Sequence, residues 1–303
     1  MEMISIIMPA YNSSKTIEGS IQSVIRQTCR DWELVVVDDC SNDGTVDVVN
    51  EIIEKNKGFD IKLYRNPENK GVAYSRNFGV KMAEGELIAF LDSDDLWTYD
   101  KLEKQMNLLK TLPENDDNCL INSKYRVMTK NEINLKSNFP DVNIEQCMVQ
   151  EGCKKASVLL YTGSAFITAK NKKLNYTLHV PKKIGRNDLL KQNIISCSSV
   201  LASKELLEKH EFPTTTAPIH EDFVVWIEIL KEIPYAYGID EALLIYRVSD
   251  SSKSSRKSKA AVMNWNTYRY VGMGIPERIY YMMCYTVRGI KKWSRIKAQI
   301  KRQ

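Results

Sequence analysis

Residues 92–95 read Asp-Ser-Asp-Asp and close an apolar run from Leu87 to Leu91. Three carboxylates in four positions repel one another unless positive charge sits among them. Oxygen ligands spaced Asp-x-Asp-Asp suit a hard divalent cation, Mg2+ or Mn2+, which keeps positions open for substrate phosphates. The other reading is a solvated acidic turn in which Asp95 caps a helix over residues 96–110. A second acidic pair, Asp38 and Asp39, ends WELVVVDD and leads into SNDGT, a sequence with turn chemistry. One of that pair, Asp38 in this reading, caps the turn. The other is free to accept from a ring N–H of a nucleobase. Tyr11 follows Pro9 and Ala10 at a strand end, placed either to stack on a base or to line a core edge. NKGVAYSRNFG (69–79) brings Lys70, Arg76 and Asn77 to a helix start, suited to phosphate or carbonyl oxygens or to a solvated face. Glu221 and Asp222 open HEDFVVWIEIL. The helix dipole favours acids there, and beside the Pro/Thr loop FPTTTAPI one of them also suits a general base.

The elements that position these groups follow from periodicity. Runs at 4–8, 32–39, 61–66 and 86–92 are apolar on both faces, as buried parallel strands are. Between them, residues 14–27 place Ile17, Ile21, Val24 and Ile25 on one stripe, and 45–56 do so with Val48, Val49, Ile52 and Ile53. A third helix over 71–84 is expected to end at Gly85 as its C-cap. Strand and helix alternating in this way predict an α/β, doubly wound sheet, whose ligands bind beyond the carboxyl ends of the strands. The polar clusters lie at those ends, so three loops converge on one crevice. Further strands are expected at 120–128, 157–169 and 193–202, a short helix at 204–210, and a helix after His220 with Phe223, Trp226, Ile227 and Leu230 on its buried face.

The chain has 303 residues, 43% hydrophobic and 27% charged, the profile of a globular protein with a sizeable core. No apolar run reaches spanning length and the start lacks a basic leader, which places the protein in the cytoplasm. The seven cysteines are scattered without CxxC spacing and the three histidines without HExxH spacing, excluding a disulfide framework and a zinc site of either kind. Charge is lopsided: the last 54 residues carry a net +11 and the rest −6.

Taken in order, SIIMPAYN, VVVDDCSNDGT, GVAYSRNFG, FLDSDD and HED before an amphipathic helix resemble the inverting family 2 glycosyltransferases of bacterial O-antigen, lipopolysaccharide and capsule synthesis. The resemblance implies a GT-A fold with a mixed central sheet and a C-terminal helical extension. Residues 1–112 would form the nucleotide-sugar-binding half, 113–249 the acceptor-binding half and 250–303 the extension. It also implies roles. Pro9 and Tyr11 would line the nucleotide site, with Tyr11 stacked on uracil, Asp39 bonded to the base and Arg76 holding the nucleotide. Asp92 would lie near ribose and sugar, Asp94 and Asp95 would hold the metal that bridges a diphosphate, Asp222 would be the catalytic base and Glu221 its support. The QxxRW motif of processive members is absent, and QTCRDW at 27–32 lies outside the place for it, so one sugar is added.

The C-terminal segment mixes Ile279, Met282, Met283, Val287, Ile290 and Trp293 with Arg288, Lys291, Lys292 and Arg295, a basic amphipathic pattern. That pattern suits an anionic membrane surface, with nucleic acid and packing back onto the domain as the other readings. The favoured partners are a UDP-sugar, a lipid-linked saccharide and the inner membrane, with no nucleic acid. A nucleotidyltransferase would carry a glycine-rich basic loop where PAYNSSK stands. A receiver-type regulator would carry its acidic pair after the first strand, and a binding-only relative would lack one of the clusters above.

Overall fold

A computed structural model describes residues 3–112, 157–248 and 257–300. Four parallel strands, β1 (Ile4–Ala10), β2 (Trp32–Asp38), β3 (Ile61–Arg65) and β4 (Leu87–Phe90), alternate with α1 (Ile17–Ile25), α2 (Thr45–Lys55) and α3 (Val72–Met82). A two-residue strand β5 (Leu96–Trp97) precedes α4 (Lys101–Thr111). After the undescribed stretch come β6 (Leu159–Thr168), β7 (Lys173–Leu178), β8 (Lys183–Ile184), α5 (Arg186–Lys191), β9 (Leu201–Ser203) and α6 (Lys204–Lys209). The chain continues through α7 (Glu221–Glu232), β10 (Ala236–Val248), α8 (Lys257–Tyr270) and α9 (Ile275–Ile300).

Among the described residues the sheet has ten strands in the order β3-β2-β1-β4-β9-β6-β10-β5, with β7 beside β6 and β8 beside β10. The 3-2-1-4 half is parallel; β9 joins it antiparallel, which makes the whole sheet mixed, as expected. Both faces are apolar because alternate residues feed two cores. Ile7, Val35, Val37, Ile88 and Phe90 pack with Phe223, Trp226 and Ile227 of α7 on one side. Ile4, Ile6, Met8, Leu34 and Val36 pack with Ile17, Ile21, Val24, Val49 and Ile52 of α1 and α2 on the other. Pro9, paired with Val37 of β2, lies where the β1–β4 ladder stops at Ile7 and Phe90, the place in a sheet where a residue without an N–H costs least.

Three expectations are corrected. The α3 C-cap is Ala83 in an extended conformation, not Gly85. Gly85 instead lies so close to β1 that a Cβ would stand 2.5 Å from the Met3 carbonyl oxygen. Residues 96–97 form β5, paired with Leu244 and Ile245, so α4 starts only at Lys101 and Asp95 caps no helix. Residues 193–202 are not a strand throughout. A 3-10 turn at Cys197–Ser199 interrupts them, closed by the Ser199 hydroxyl on the Ser196 carbonyl at 2.7 Å, and only Leu201–Ser203 pairs in the sheet. The strand expected at 120–128 lies outside the described residues. The long β10, a strand that periodicity in the sequence left unmarked, runs beside β6 and delivers Arg247 to the acidic loop.

Candidate functional site

The crevice forms where β1, β2 and β4 end. The loop after β1 is tied to its neighbours by side chains. The Asn12 N–H donates to the Ser41 hydroxyl at 2.9 Å, the Ser13 N–H to the Thr45 hydroxyl at 2.8 Å, and the Ser13 and Ser93 hydroxyls meet at 2.7 Å. Hydrogen bonds from Thr45 and Ser14 outweigh the cost of burial and draw the Asp43 carboxyl down to about 2, which fixes the same junction. Tyr11 stands at the rim with half its surface exposed. The two aspartates after β2 divide as expected in one respect: Asp38 accepts the Ser41 N–H at 3.0 Å and so caps the turn. Asp39 is buried and accepts from Asn66 Nδ2 at 2.8 Å, the Lys70 N–H at 2.9 Å and the Gly71 N–H at 2.8 Å. A carboxylate offers about four acceptor positions, so one on Oδ2 remains. Gly71 can present its N–H because it takes φ +86°, the left-handed region that glycine adopts without strain.

The three carboxylates of the acidic loop diverge. Asp92, with 32% of its side chain exposed, pairs at 2.7 Å with Arg76, whose side chain is only 6% exposed. Burial opposes the Arg76 charge, but Asp92, Cys197 and Glu221 together outweigh it and hold the guanidinium charged. Its Nε is buried with no hydrogen-bond partner. Asp95 is buried. Its Oδ1 accepts the Arg247 N–H at 2.9 Å, and Oδ2 has no hydrogen-bond partner. Arg247 Nε donates to the Asp94 carbonyl at 2.8 Å, and its guanidinium continues to Asn171. Burial, then the charge of Asp92, pushes Asp94 up to about 6; burial, then Asp92 and Asp94, pushes Asp95 well above its usual range. Two arginines from distant segments thus supply part of the positive charge that this sequence demands.

A cation also fits here. Among the described residues no three His, Cys, Asp or Glu side chains form a ready-made cage. Mg2+ and Mn2+ sites commonly need only one or two carboxylates, with substrate phosphates and water completing the shell. Asp94, half-buried, and the orphaned Oδ2 of Asp95 provide that donor set.

Glu221 and Asp222 occupy the first turn of α7. Burial, then the adjacent Glu221, raises the Asp222 carboxyl above its usual range, while His220 and Arg76 work in the opposite direction. Arg76 links the acidic loop to α7: it pairs with Asp92 at 2.7 Å and lies 5.3 Å from the Phe212 ring centre, and Phe212 packs edge-on to Trp226 of α7 with ring centres 6.0 Å apart. The Tyr246 hydroxyl is raised first by burial and then by the charges of Asp95, Asp92, Asp94 and Asp222.

The model of the family described as Glycosyl transferase family 2 matches residues 5–180, from β1 to the end of β7. The chain belongs to glycosyl transferase family 2. It is 34% identical over 293 residues to the UDP-Glc:alpha-D-GlcNAc-diphosphoundecaprenol beta-1,3-glucosyltransferase WfgD of Escherichia coli, covering 96% of this chain and 94% of that protein. TarS of S. aureus, solved in complex with UDP-GlcNAc, superposes with a TM-score of 0.57 at 18% identity, over 92% of this chain and 70% of that one. The mannosyltransferase PcManGT of Pyrobaculum calidifontis, in complex with GDP-Man and Mn2+, gives 0.57 at 18% identity over 93% and 68%. As a family 2 glycosyltransferase of GT-A fold, the chain is an enzyme.

Most candidate residues from the sequence of this family 2 member gather at the strand ends, Pro9, Tyr11, Asp39, Asp92, Asp94 and Asp95, with Arg76 reaching Asp92 from α3 and with Glu221 and Asp222 in the first turn of α7. Lys70 donates its backbone N–H to Asp39 and its ammonium lies 4.8 Å from the Tyr74 ring centre. Asn77 points away from the crevice, into a reciprocal pair with the Phe212 backbone. Sequence reasoning missed Arg247 and Tyr246; it singled out Asn193 to Ser198 for the donor sugar but not the Ser198 hydroxyl as the acceptor of the Asp92 N–H at 3.1 Å. The signal for Arg247 was a lone charge closing the apolar run ALLIYRV.

Proposed function

We propose that this enzyme transfers one sugar from a UDP-sugar to a lipid-linked saccharide in bacterial surface polysaccharide synthesis, with inversion and with Asp222 as the general base. The observation that carries this reading is the link through Arg76, which pairs with Asp92 of the acidic loop at 2.7 Å and packs on Phe212 against Trp226 of α7, the helix that Asp222 opens. Burial, then Glu221, raises the Asp222 carboxyl, which supports its reading as a base. The WfgD name specifies a UDP-Glc donor and a diphosphoundecaprenol-linked acceptor, which supports the substrate class.

Tyr11 offers its exposed ring to the base, and the remaining acceptor position of Asp39 takes a uracil N–H. Pro9 is the last residue but one of β1, two before Tyr11. Arg76 orients Asp92 toward ribose and sugar. Asp94 and Asp95 would hold Mn2+ or Mg2+, whose charge when bound offsets that of a departing diphosphate. Asp222 removes the proton from the acceptor hydroxyl as its oxygen attacks the anomeric carbon. The carbon–oxygen bond to UDP breaks on the opposite face, giving inversion. Burial first, and then Glu221 beside it, raise the Asp222 carboxyl and so favour its accepting that proton.

The acceptor's lipid calls for membrane proximity. Among the described residues no helix is long and apolar enough to cross a bilayer. The described half of α9 turns Tyr281 and Met282 toward the core and leaves Ile275, Ile279, Met283 and Val287 exposed at four-residue spacing. With the basic charge of this segment, that face fits the anionic surface of the inner membrane from the cytoplasmic side.

Calorimetric titration of UDP with and without Mn2+ tests the site. The expected result is Mn2+-enhanced binding that Asp94→Ala abolishes, and transfer lost in Asp222→Asn with UDP affinity unchanged. Equal UDP affinity for wild type and Asp94→Ala in Mn2+ contradicts the reading.

A further inference from the structure

The segment before the base is exposed from Thr214 to Pro218, and its one internal side-chain bond is the Ala217 N–H on the Thr215 hydroxyl at 3.1 Å. Such a loop cannot by itself aim the first turn of α7. Its two ends are held from elsewhere. At Phe212 the Asn77 side chain donates to the carbonyl and accepts the N–H, both at 2.8 Å. At His220 the backbone N–H donates to the Thr267 hydroxyl on α8 at 3.0 Å, and the Thr267 hydroxyl donates to the Met263 carbonyl at 2.9 Å. The His220 carbonyl accepts the Val224 N–H at 3.1 Å, so the residue is fixed on both sides immediately before Glu221 and Asp222. His220 makes no side-chain cap to α7, and Thr267 on α8 gives its backbone an external acceptor at that junction. Asn266 Nδ2 on the Pro218 carbonyl at 3.2 Å, and Tyr268 edge-on to Phe223 with ring centres 6.0 Å apart, seat α8 against the same turn. Tyr268 is itself anchored by its hydroxyl on the Leu190 carbonyl at 2.7 Å.

We propose that Thr267 is a positioning residue for the catalytic carboxylate, so that α8 belongs to the working site and is more than a spacer before α9. The inference rests on Asp222 being the base. A buried N–H left without an acceptor destabilises the conformation that leaves it so. Loss of the Thr267 hydroxyl therefore lets the start of α7 shift, and misplacement of a reacting group by about 1 Å costs on the order of 100-fold in rate.

The test uses the full chain with Thr267→Val, which keeps the shape and removes the hydroxyl, and Thr267→Ser, which keeps the hydroxyl. Steady-state transfer, UDP affinity by calorimetry and thermal unfolding are measured for each. For Thr267→Val the expected kcat is about 10- to 100-fold lower, with donor KM and UDP affinity within about 2-fold of wild type. Thr267→Ser should recover kcat to within about 3-fold. An unchanged kcat in Thr267→Val overturns the proposal. So does equal loss in both variants, or UDP affinity falling in step with kcat. Asp222→Asn measured alongside separates the two layers: retained transfer there overturns the base assignment itself. Lost transfer there with an active Thr267→Val overturns the positioning role alone.

Discussion

At the crevice the Asp92 carboxylate lies 2.7 Å from the Arg76 guanidinium, which is buried behind it. Each needs the other. Arg76→Ala removes the ion-pair partner of this carboxylate, and it should cost about 2 kcal/mol in urea unfolding, somewhat less than a fully buried pair because Asp92 is partly exposed. The same variant should weaken UDP binding, which calorimetry measures. The types and spacings of Asp39, Arg76, Asp92, Asp94 and Asp222 were legible in the sequence because strand ends concentrate chemistry and these residues follow apolar runs. Their internal partners were not. Arg247 reaches the Asp94 carbonyl across 153 positions, Ser198 holds Asp92 across 106 and Asn66 holds Asp39 across 27. Contacts of that kind depend on how strands are ordered in the sheet, which local periodicity does not encode.

At the scale of elements, α3 delivers Arg76 only because it lies against β1. A Cβ on Gly79 would stand 2.4 Å from Ile7 Cγ2, so Gly79→Ala must push the helix outward. The expected cost is about 1–3 kcal/mol in chemical denaturation, with weaker UDP binding as Arg76 shifts. The support beneath the acidic loop makes a second prediction. Lys101 at the start of α4 is fully buried, its Nζ donating to Gln105 Oε1 at 2.8 Å and lying 3.9 Å from the Trp97 ring centre. Gln105 in turn donates to the Ser199 carbonyl and Trp97 Nε1 to the Ser198 carbonyl. Burial alone lowers the Lys101 pKa well below 10.5. Between that lowered value and 10.5 the unfolded chain binds a proton that the folded chain has released, so stability rises with pH across the window. Lys101→Met should flatten the rise by up to about 1.4 kcal/mol per pH unit, seen as converging urea midpoints at pH values about 7 and 9. The parallel half of the sheet was legible from alternating periods. The turn at Cys197–Ser199 was not, because NIISCSSVLA is apolar enough to read as a strand, and only its serine hydrogen bonds make it fold back.

Across the whole molecule, the net +11 of the last 54 residues adjoins a helix whose exposed face carries Ile279 and Met283. Replacing both with glutamate should abolish co-sedimentation with vesicles rich in phosphatidylglycerol at about 0.15 M salt, while transfer to a detergent-dispersed acceptor stays near wild type. The basic amphipathic pattern was readable in the sequence. That α8 lies on the start of α7 was not, since Thr267 is an ordinary helical threonine until its hydroxyl meets His220. The most direct test of the account is UDP release from UDP-Glc, UDP-Gal, UDP-GlcNAc and UDP-GalNAc, with and without a polyprenyl-diphosphate-linked sugar, in wild type and Asp222→Asn. The account predicts rapid release from one UDP-sugar that requires the acceptor and disappears in Asp222→Asn. Acceptor-dependent release at wild-type rate in Asp222→Asn, or release from GDP- or dTDP-sugars alone, would contradict it.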